Sequence, residues 1–275
     1  MKNLIVGIDI GASRTKGVVS ENSKILALYS LRNTDVSEPA KSVLKNILQA
    51  VNRKSRDVKI VAVSGGGARL VHDKLLELPV TRVDEIKAIG FGGLELSRKR
   101  QALIVNMSTG TALVAASDNG ARIEHIGGTG VGGGTILGLS RRMLGTDNFI
   151  EIEEMANRGN ASKVNLTVAD ISGGPVGIVP EDATASNFEK LRCDTDKNDI
   201  AAAIFDMVSE TVGVITVMAA RATHLERDVV LVGKLIESKK IAERVRITTK
   251  MFQIKTIIPT NGEYSVAIGA VKSII

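Results

Sequence analysis

Apolar positions along the chain follow two different periods, and the changes between them predict the order of strands and helices. Short apolar runs at 4–8, 17–19 and 25–31 are separated by small and polar residues, which indicates three strands joined by tight turns. A helix is predicted over about 38–53, because its apolar positions recur at helical spacing. Pro39 suits the first turn of that helix.

The rest of the chain repeats this opening and then changes to a mostly helical pattern. A strand at Val58–Val63 leads through Ser64-Gly65-Gly66-Gly67 to a short predicted helix that ends near Leu76, and another helix is predicted over 85–98. The Asp118-Asn119-Gly120 turn is typical of a hairpin. Further strands are predicted at Ala102–Met107, Ala112–Ala116 and Ala121–Ile126. A mostly helical stretch follows over 135–225 and includes a long helix at 197–224. The chain then continues with a strand at 228–232, a helix at 238–250, a strand at 253–258 and a last helix from about 264.

The two halves of the chain open in the same way. A unit of strand, polar turn, strand, hairpin and strand begins at residue 4 and again at residue 102. Mixed strands followed by helices, twice over, predict two similar α/β lobes with a cleft between them. No segment rich in Pro or Ser separates the halves, so the lobes are expected to connect tightly near 97–101. The predicted lobes are residues 1–97 and residues 98–275.

The turn after the first strand combines small residues with a hydroxyl group and a positive charge. It is Gly11-Ala12-Ser13, with Asp9 at the end of the strand before it and Thr15 and Lys16 after it. Small residues let the backbone approach an anion closely, and exposed backbone N–H groups can cradle phosphate. Taken alone, this segment is equally compatible with an ordinary hairpin.

A second turn of the same kind, Ser108-Thr109-Gly110-Thr111, opens the other half. Together the two turns predict a grip on the phosphates of a nucleotide from both sides. A third segment, Gly127–Thr135, is rich in glycine and leads into a helix, whose first N–H groups favour anions. It contains a formal GxGxxG, but the strand before it alternates like a half-exposed antiparallel strand. A dinucleotide-binding oxidoreductase therefore stays an alternative only.

The composition of the chain argues against several classes of protein. Lys plus Arg number 36 against 30 for Asp plus Glu, the excess is spread along the chain, and aromatic residues make up only 3%, so a nucleic-acid platform is not expected. The single Cys193 excludes an intramolecular disulfide and a cysteine-built metal site within one chain. No run of 18 apolar residues occurs, and the N-terminus has the pattern of a strand instead of a signal peptide. A cytoplasmic protein without a membrane partner is expected.

Taken in order, these segments resemble the type II (eukaryotic-like) pantothenate kinase family, within the sugar kinase, Hsp70 and actin superfamily. The matching segments cover nearly the whole chain: Asp9 to Lys16, Ser64 to Ala68, Asp84-Glu85, Asn106 to Thr111, Gly127 to Leu139, Glu154 to Gly159, Ala185 to Phe188, Val232-Gly233 and Gly262 to Ala270. The resemblance implies an α/β fold of two ribonuclease-H-like (actin-like ATPase) lobes around a nucleotide cleft, and a homodimer. It also implies transfer of the γ-phosphoryl group of ATP, with Mg²⁺, to the primary hydroxyl of pantothenate, the first step of coenzyme A biosynthesis.

The same resemblance assigns roles to individual residues. Glu85 would be the catalytic general base that accepts the hydroxyl proton, and Asp9 would hold Mg²⁺ through water. Without the family match, Glu85 has the character of a surface carboxylate at a helix N-terminus. The implied nucleotide- and phosphate-binding residues are Gly11, Ala12, Ser13, Thr15, Lys16, Thr109, Gly110, Thr111, Gly130, Gly132, Gly133, Gly134, Gly233, Tyr264 and Ser265, and the implied acceptor-binding residues are Thr109, Ala112 and His125.

Three positions depart from the family pattern. His125 stands where the family has an arginine, Ala112 where it has a serine, and Ser108 where it has a glycine. A histidine is shorter than an arginine and only partly charged near neutral pH, and alanine has no hydroxyl. Pantothenate is the favoured acceptor. A kinase for a different small hydroxylated acceptor and a non-catalytic nucleotide-binding pseudokinase are the alternatives, although the retained Asp9 and Glu85 argue against a dead site.

Overall fold

The computed structural model describes residues 3–35 and 37–275, and most of its strands belong to two sheets. The first sheet, in the order β3-β2-β1-β4-β6-β5, consists of β1 (Leu4–Ile10), β2 (Arg14–Glu21), β3 (Lys24–Arg32), β4 (Val58–Ser64), β5 (Lys74–Leu75) and β6 (Leu78–Arg82). The second, in the order β13-β12-β7-β8-β9, consists of β7 (Ala102–Met107), β8 (Thr111–Ser117), β9 (Arg122–Thr129), β12 (Val229–Val232) and β13 (Thr256–Ile257). Two short strands, β10 (Leu166–Thr167) and β11 (Thr184–Ser186), pair with each other.

The two sheets have the same design. In each, the first strand is antiparallel to the second and the second to the third, whereas the first strand is parallel to a strand that comes later in the chain. Strands β3-β2-β1-β4-β6 of the first sheet therefore correspond to β9-β8-β7-β12-β13 of the second. The internal duplication and the α/β class that the sequence predicts are confirmed.

Helices cover both faces of each sheet, which explains why the central strands β1, β7 and β12 are continuous apolar runs instead of alternating ones. The helices of the described residues are α1 (Pro39–Ala50), α2 (Glu85–Ser97), α3 (Gly133–Met143), α4 (Phe149–Arg158), α5 (Val168–Ser172), α6 (Lys197–Ala222), α7 (Lys239–Met251) and α8 (Ser265–Lys272). The first sheet lies between α1 and α8. The second lies between α2 on one side and α6 with α7 on the other.

Helices α2 and α8 lie between the two sheets, and each packs on the sheet of the other half of the chain. Gly93 of α2 lies against Ile104 of β7, whereas Ala267 of α8 lies against Gly7 of β1. A boundary between residues 97 and 98 thus separates α2 from the sheet that it covers. The division of the chain at that point stays a prediction.

The crossing of α2 and α8 brings two backbones nearly into contact. A Cβ atom added at Gly92 would lie 1.9 Å from the carbonyl oxygen of Ser265, and one added at Gly269 would lie 1.8 Å from that of Ala88. Any side chain at either position would therefore push the helices apart. Because α2 begins at Glu85 and α8 packs on β1, this crossing orients α2 on the first sheet, and the short link from β6 to Glu85 holds the start of the helix there.

One predicted element is wrong. The short helix expected to end near Leu76 is a 3₁₀ turn at Gly66–Leu70, followed by the β5–β6 hairpin. A strand at 78–82 is disfavoured on sequence grounds, because Pro79 has no backbone N–H to donate to a neighbouring strand. In the structure Pro79 lies opposite Lys74 in the short edge strand β5, and only Val80 and the residues after it pair with β4.

The long helix α6 has the length and apolar composition of a membrane span, with a mean hydropathy of 1.7 over its most apolar window. However, 67% of that window is buried inside the protein. Ile204, Phe205 and Val208 pack against the second sheet in its largest core cluster. These contacts assign α6 to the protein core.

Replacing Gly92 by alanine is expected to lower the free energy of unfolding by about 3 kcal/mol, because the added methyl group overpacks the α2–α8 crossing. Gly138 is the matched control, since it is also helical but has no atom within 4 Å of an added Cβ. Gly138→Ala is expected to stabilise by about 0.5–1 kcal/mol. Urea denaturation of both variants measures the difference, and equal effects would contradict the crossing as described.

Candidate active site

The turn between β1 and β2 is braced by Asn33, the first residue after β3. The amide nitrogen of Asn33 donates to the carbonyl oxygen of Gly11 (2.8 Å), and its amide oxygen accepts from the hydroxyl of Thr15 (2.8 Å). The buried Thr15 hydroxyl is thereby engaged inside the protein, in a supporting position. Among the described residues, the backbone N–H groups of Ala12 and Ser13 have no acceptor. These two donors remain for an anion.

A buried ion pair lies at the end of the same strands. Asp9 and Lys16 are opposite each other in β1 and β2, with 3.6 Å between Oδ2 and Nζ, and each is only 6% exposed. Burial raises the pKa of Asp9 more than the Lys16 ammonium lowers it. Gly65, with φ of +86°, follows β4 beside this pair, and a Cβ there would lie 2.6 Å from Oδ1 of Asp9. The glycine thus leaves room for the carboxylate.

Glu85 is the first residue of α2, and Asp84 caps that helix by accepting from the backbone N–H of Lys87 (3.0 Å). The side chain of Glu85 is accessible to solvent, yet enough protein surrounds it that desolvation raises its pKa. The negative charges of Asp9 and Asp84 raise the pKa of Glu85 further. A carboxylate whose pKa is raised toward neutrality suits a general base. The structure therefore brings Glu85 and Asp9 into one site.

The second turn is docked onto the start of α3. The backbone N–H groups of Gly133 and Gly134 donate to the carbonyl oxygens of Ser108 (2.8 Å) and Thr109 (2.9 Å). A Cβ at Gly132 would lie 2.7 Å from the same carbonyl of Thr109. Both N–H donors are therefore already used within the protein, and the nucleotide contact expected of Gly133 and Gly134 stays a prediction. Their observed role is to hold the turn.

Other groups of the second turn remain free to face a ligand. The backbone N–H groups of Thr109 and Gly110 have no acceptor among the described residues. The hydroxyl of Thr111, in contrast, donates to the carbonyl oxygen of Val131 (2.9 Å), which ties β8 to the glycine-rich segment. Gly130 in that segment has no neighbour within 4 Å of an added Cβ. Each lobe thus offers one turn with two unused backbone donors.

Two buried side-chain oxygens at the strand ends, Oγ of Ser64 and Oδ1 of Asn106, have no hydrogen-bond partner among the described residues. A third, Oγ of Ser265, is at the first residue of α8, beside Gly92. Gly233, with φ of +97°, lies directly against Asn106, because its Cβ would be 2.8 Å from that Oδ1. Buried polar atoms without partners are rare in proteins, so those at a strand end mark a place for a ligand or water.

The segment after β12 and the turn before α8 are joined by charged side chains. Lys234 forms ion pairs with Glu237 and with Glu263, the latter at 3.1 Å between Nζ and Oε2. Burial, followed by the charge of Glu263, raises the pKa of Tyr264 to about 12. Tyr264 is therefore a neutral phenol across the physiological range. These two segments contain Gly233, Tyr264 and Ser265, which the family resemblance assigns to nucleotide binding.

The residues expected to bind the acceptor lie on the side of the second sheet that faces α2. Ala112 packs in the same cluster as Ile86 in the first turn of α2. His125 is exposed and lies on the same face of β9 as Ile123, because side chains two residues apart share a face. Ile123 packs against α2. Ala112, His125 and Glu85 are therefore on one side of the cleft.

Sequence reasoning missed the parts of the site that act through other residues. Asn33 carries no motif of its own, and only the pairing of β2 with β3 shows that it reaches the first turn. Gly65 had a signal, because a glycine directly after a buried strand is typical of a positive φ. A cavity of about 170 Å³ lies elsewhere, between α6 and α7, and none of the residues of the two turns lines it.

Solved structures with a similar fold identify the structural class of this protein. Component A of the (R)-2-hydroxyglutaryl-CoA dehydratase of Acidaminococcus fermentans matches with a TM-score of 0.69, covering 98% of this chain and 96% of its own, at 15% identity. A glucokinase of the ROK family from Streptomyces griseus, in complex with glucose and AMPPNP, matches with a TM-score of 0.61, covering 98% of both chains at 12% identity. The protein has the two-lobed, actin-like ATPase fold.

The sequence comparisons are more specific. The profile of the Fumble family matches residues 99–271, and this chain belongs to that family. It is 28% identical over 276 residues to the type II pantothenate kinase of Bacillus anthracis, covering 96% of this chain and 95% of the relative. The type II pantothenate kinase of Oceanobacillus iheyensis is 27% identical, with 98% of each chain covered.

Replacing Glu85 by glutamine is expected to raise the melting temperature at pH 8 by about 2 °C. The folded-state pKa of Glu85 lies above the unfolded value of 4.5, so its ionised form destabilises the folded protein above the raised pKa. This destabilisation disappears as the pH falls toward 4.5, so the gain from Glu85→Gln should shrink between pH 8 and pH 5.

Glu154→Gln on the surface of α4 is the control for removing one negative charge. Thermal melts of both variants and the parent at the two pH values measure the effect. A gain from Glu85→Gln that is the same at pH 5 and pH 8 would contradict a raised pKa at that carboxyl group.

Proposed function

We propose that this protein is an ATP-dependent kinase that transfers the γ-phosphoryl group of ATP to pantothenate, giving 4'-phosphopantothenate, the first step of coenzyme A biosynthesis. The observation that carries the proposal is the position of Glu85 at the start of α2, near enough to Asp9 that the charge of Asp9 raises its pKa. The Fumble family and the type II pantothenate kinases that align over nearly the whole chain support the same reaction.

The backbone turns would hold the phosphates. The free N–H groups of Ala12 and Ser13 in one lobe and of Thr109 and Gly110 in the other would donate to phosphate oxygens. Lys16 would supply the positive charge. Phosphoryl transfer of this kind depends mostly on positioning and on stabilising charge, which preorganised backbone donors provide.

The residues present fit a magnesium ion bound together with the nucleotide. The described residues contain no group of three or more side chains of His, Cys, Asp or Glu that could form a metal cage, but Asp9 offers one buried carboxylate at the base of the cleft. Mg²⁺ commonly takes one or two carboxylates, keeps several waters and binds substrate phosphates. When bound, it neutralises charge on the β- and γ-phosphates. Asp9 would hold it, mainly through water.

Glu85 would act on the acceptor. Its carboxylate takes the proton of the primary hydroxyl, the acceptor oxygen forms a bond to the γ-phosphorus, and the bond from that phosphorus to the β–γ bridging oxygen breaks, releasing ADP. Such a base contributes about 10²- to 10⁴-fold to the rate. Its place in the first turn of α2, on the same side as Ala112 and His125, suits an acceptor lying between α2 and β9.

A second candidate is a kinase of the same fold for a different small hydroxylated acceptor. His125 is exposed on the α2 side of β9, and Ala112 has no hydroxyl, so neither offers the fixed charge or the hydroxyl group that the family pattern has there. A site built to hydrogen-bond one acceptor discriminates strongly against another. A different set of side chains at these two positions therefore favours testing other hydroxylated metabolites beside pantothenate.

We also propose that the protein is cytoplasmic and works as a homodimer. The support for the dimer is the family resemblance, together with exposed apolar side chains on neighbouring helices. Val214 and Met218 of α6 are exposed, as is Ile247 of α7, and Gly213 lies against Thr248 where the two helices touch.

Replacing Glu85 by alanine is expected to lower pantothenate-dependent release of ADP by about 10²- to 10⁴-fold while nucleotide binding is retained. ADP release with Mg-ATP, with and without pantothenate, measures the rate, and mass spectrometry identifies the phosphorylated product. Glu243→Ala on the exposed surface of α7 is the control and should leave the rate unchanged. Nucleotide binding by the parent protein without phosphopantothenate formation would contradict pantothenate as the acceptor, and pantetheine and pantoate would be tested next.

Replacing Gly65 by alanine is expected to weaken the binding of Mg-ATP by about tenfold or more, because the new methyl group would displace the carboxylate of Asp9. Gly66→Ala is the matched control, since no atom lies within 4 Å of a Cβ there and its φ is not in the left-handed region. Equilibrium binding of a fluorescent ATP analogue compares the two. Equal affinities would argue against a role for Asp9 in nucleotide binding.

A further inference from the structure

The turn after β4 carries an arginine side chain that has no partner within the described part of the chain. Arg69 lies in the 3₁₀ turn Gly66–Leu70, and its side chain is exposed. It forms neither a hydrogen bond nor an ion pair with any described residue. The next side chain, Leu70, is 86% exposed. A fixed positive charge and an aliphatic group therefore lie next to each other in the chain, both open to solvent.

This turn leaves the first sheet at the same edge as the strand ends of the candidate active site. Strand β4 lies between β1 and β6 and is parallel to both, so the carboxyl ends of all three strands lie at one edge. In open α/β sheets, ligands bind in the crevice at that edge. Asp9 is at the end of β1, and Glu85 follows β6 after a link of two residues. Arg69 thus follows the strand that lies between those of the two carboxylates.

The backbone of the turn is held in place, so Arg69 is presented from a fixed support. A Cβ at Gly67 would lie 2.4 Å from the side chain of Ile10, which shows that the turn packs tightly on the end of β1. Arg82, the last residue of β6, donates to the carbonyl oxygen of Val71 (2.6 Å) just after the turn. Arg82 is therefore engaged in the fold, whereas Arg69 is available to a ligand. A preordered support lowers the entropy that binding costs.

The other cations near this edge are engaged or lie elsewhere. Lys16 is paired with Asp9, and Nε of Arg14 donates to Oγ of Ser30 (2.9 Å). Lys87 is exposed in the first turn of α2, two residues after Glu85. Side chains two residues apart do not face each other on a helix, so Lys87 lies on a different side of α2.

The chemistry of the proposed acceptor requires a cation at a distance from the general base. Pantothenate is an anion, and its carboxylate is at the opposite end of the molecule from the primary hydroxyl. His125 and Ala112, at the positions where the family has an arginine and a serine, offer no fixed positive charge. An arginine stays charged throughout the physiological pH range and binds a carboxylate through two parallel hydrogen bonds.

We propose that Arg69 binds the carboxylate of the acceptor and thereby selects an anionic substrate. This inference rests on the proposed function, because it concerns the acceptor of the kinase. It assigns to the first lobe a charge that the family pattern has on β9. The acceptor would span the mouth of the cleft, with its hydroxyl at Glu85 and its carboxylate at the turn after β4.

The test compares the kinetics of two acceptors, pantothenate and its primary amide, in which a neutral carboxamide replaces the carboxylate. Arg69→Ala is expected to raise the KM for pantothenate by about tenfold or more, because a hydrogen-bonded charge pair is lost, and to change the KM for the amide and both kcat values by less than about twofold. Arg69→Lys should recover part of the affinity for pantothenate. Arg56→Ala is the matched control, since Arg56 is also exposed and without a partner among the described residues but precedes β4, at the opposite edge of the sheet.

The outcomes separate the inference from the proposed function. A KM for pantothenate that is unchanged in Arg69→Ala, or raised equally for both acceptors, overturns the role of Arg69 alone, as does a selective loss in Lys87→Ala instead. If Arg69→Ala does not fold, Arg69→Gln decides by the same comparison. Equal use of the amide and pantothenate by the parent protein overturns the selection of an anion and leaves the kinase in place. Absence of pantothenate phosphorylation by the parent protein overturns the proposed acceptor, and the role of Arg69 with it.

Discussion

The contact on which the rest of the structure depends is the crossing of α2 and α8, where Gly92 and Gly269 let two helix backbones meet. Each helix packs on the sheet of the opposite half, so the crossing is the joint between the lobes. Glu85 begins α2, and α8 rests on the strand that ends beside Asp9. The separation of the two carboxylates is therefore set by this helix contact together with the short link from β6 to α2, in which the N–H of Val83 donates to the carbonyl oxygen of Val63 (2.8 Å).

The site also shows how burial sets its electrostatics. Asp9 is buried beside a single lysine, and desolvation raises its pKa in spite of that partner. The charge of Asp9 in turn raises the pKa of Glu85. The repulsion between Asp9 and an ionised Glu85 costs folding stability, because it disfavours the charged form of Glu85 in the folded protein. Such an arrangement is typical of sites selected for chemistry and not for stability.

Most of the fold could be predicted from the sequence, because it depends on local patterns that repeat. The strands around both turns, the long helix predicted at 197–224 and the repeated unit of strand, turn, strand, hairpin and strand all follow from apolar periodicity. The β6 strand could not be predicted, since Pro79 interrupts its short apolar run and its pairing with β4 joins residues that are far apart in sequence. The packing of α2 and α8 on the sheets of the opposite halves could not be predicted either, because it depends on contacts between residues far apart in sequence.

The site was predictable at the level of segments but less so at the level of atoms. The two turns were visible as short runs of small and hydroxyl residues between strands. Which N–H groups stay free was not, because that depends on hydrogen bonds between segments. The glycine-rich segment looked like a phosphate loop of its own, yet Gly133 and Gly134 donate to the second turn. Asn33, likewise, acts only through the register of its strand.

The docking of the second turn on α3 has a thermodynamic consequence. A loop that becomes ordered only on binding loses conformational entropy at that moment, and the loss is subtracted from its affinity. Here the hydrogen bonds from Gly133 and Gly134 fix the carbonyl groups of Ser108 and Thr109 when the chain folds. The ordering is complete before any ligand arrives, so the donors of the turn can contribute their interaction with an anion almost undiminished.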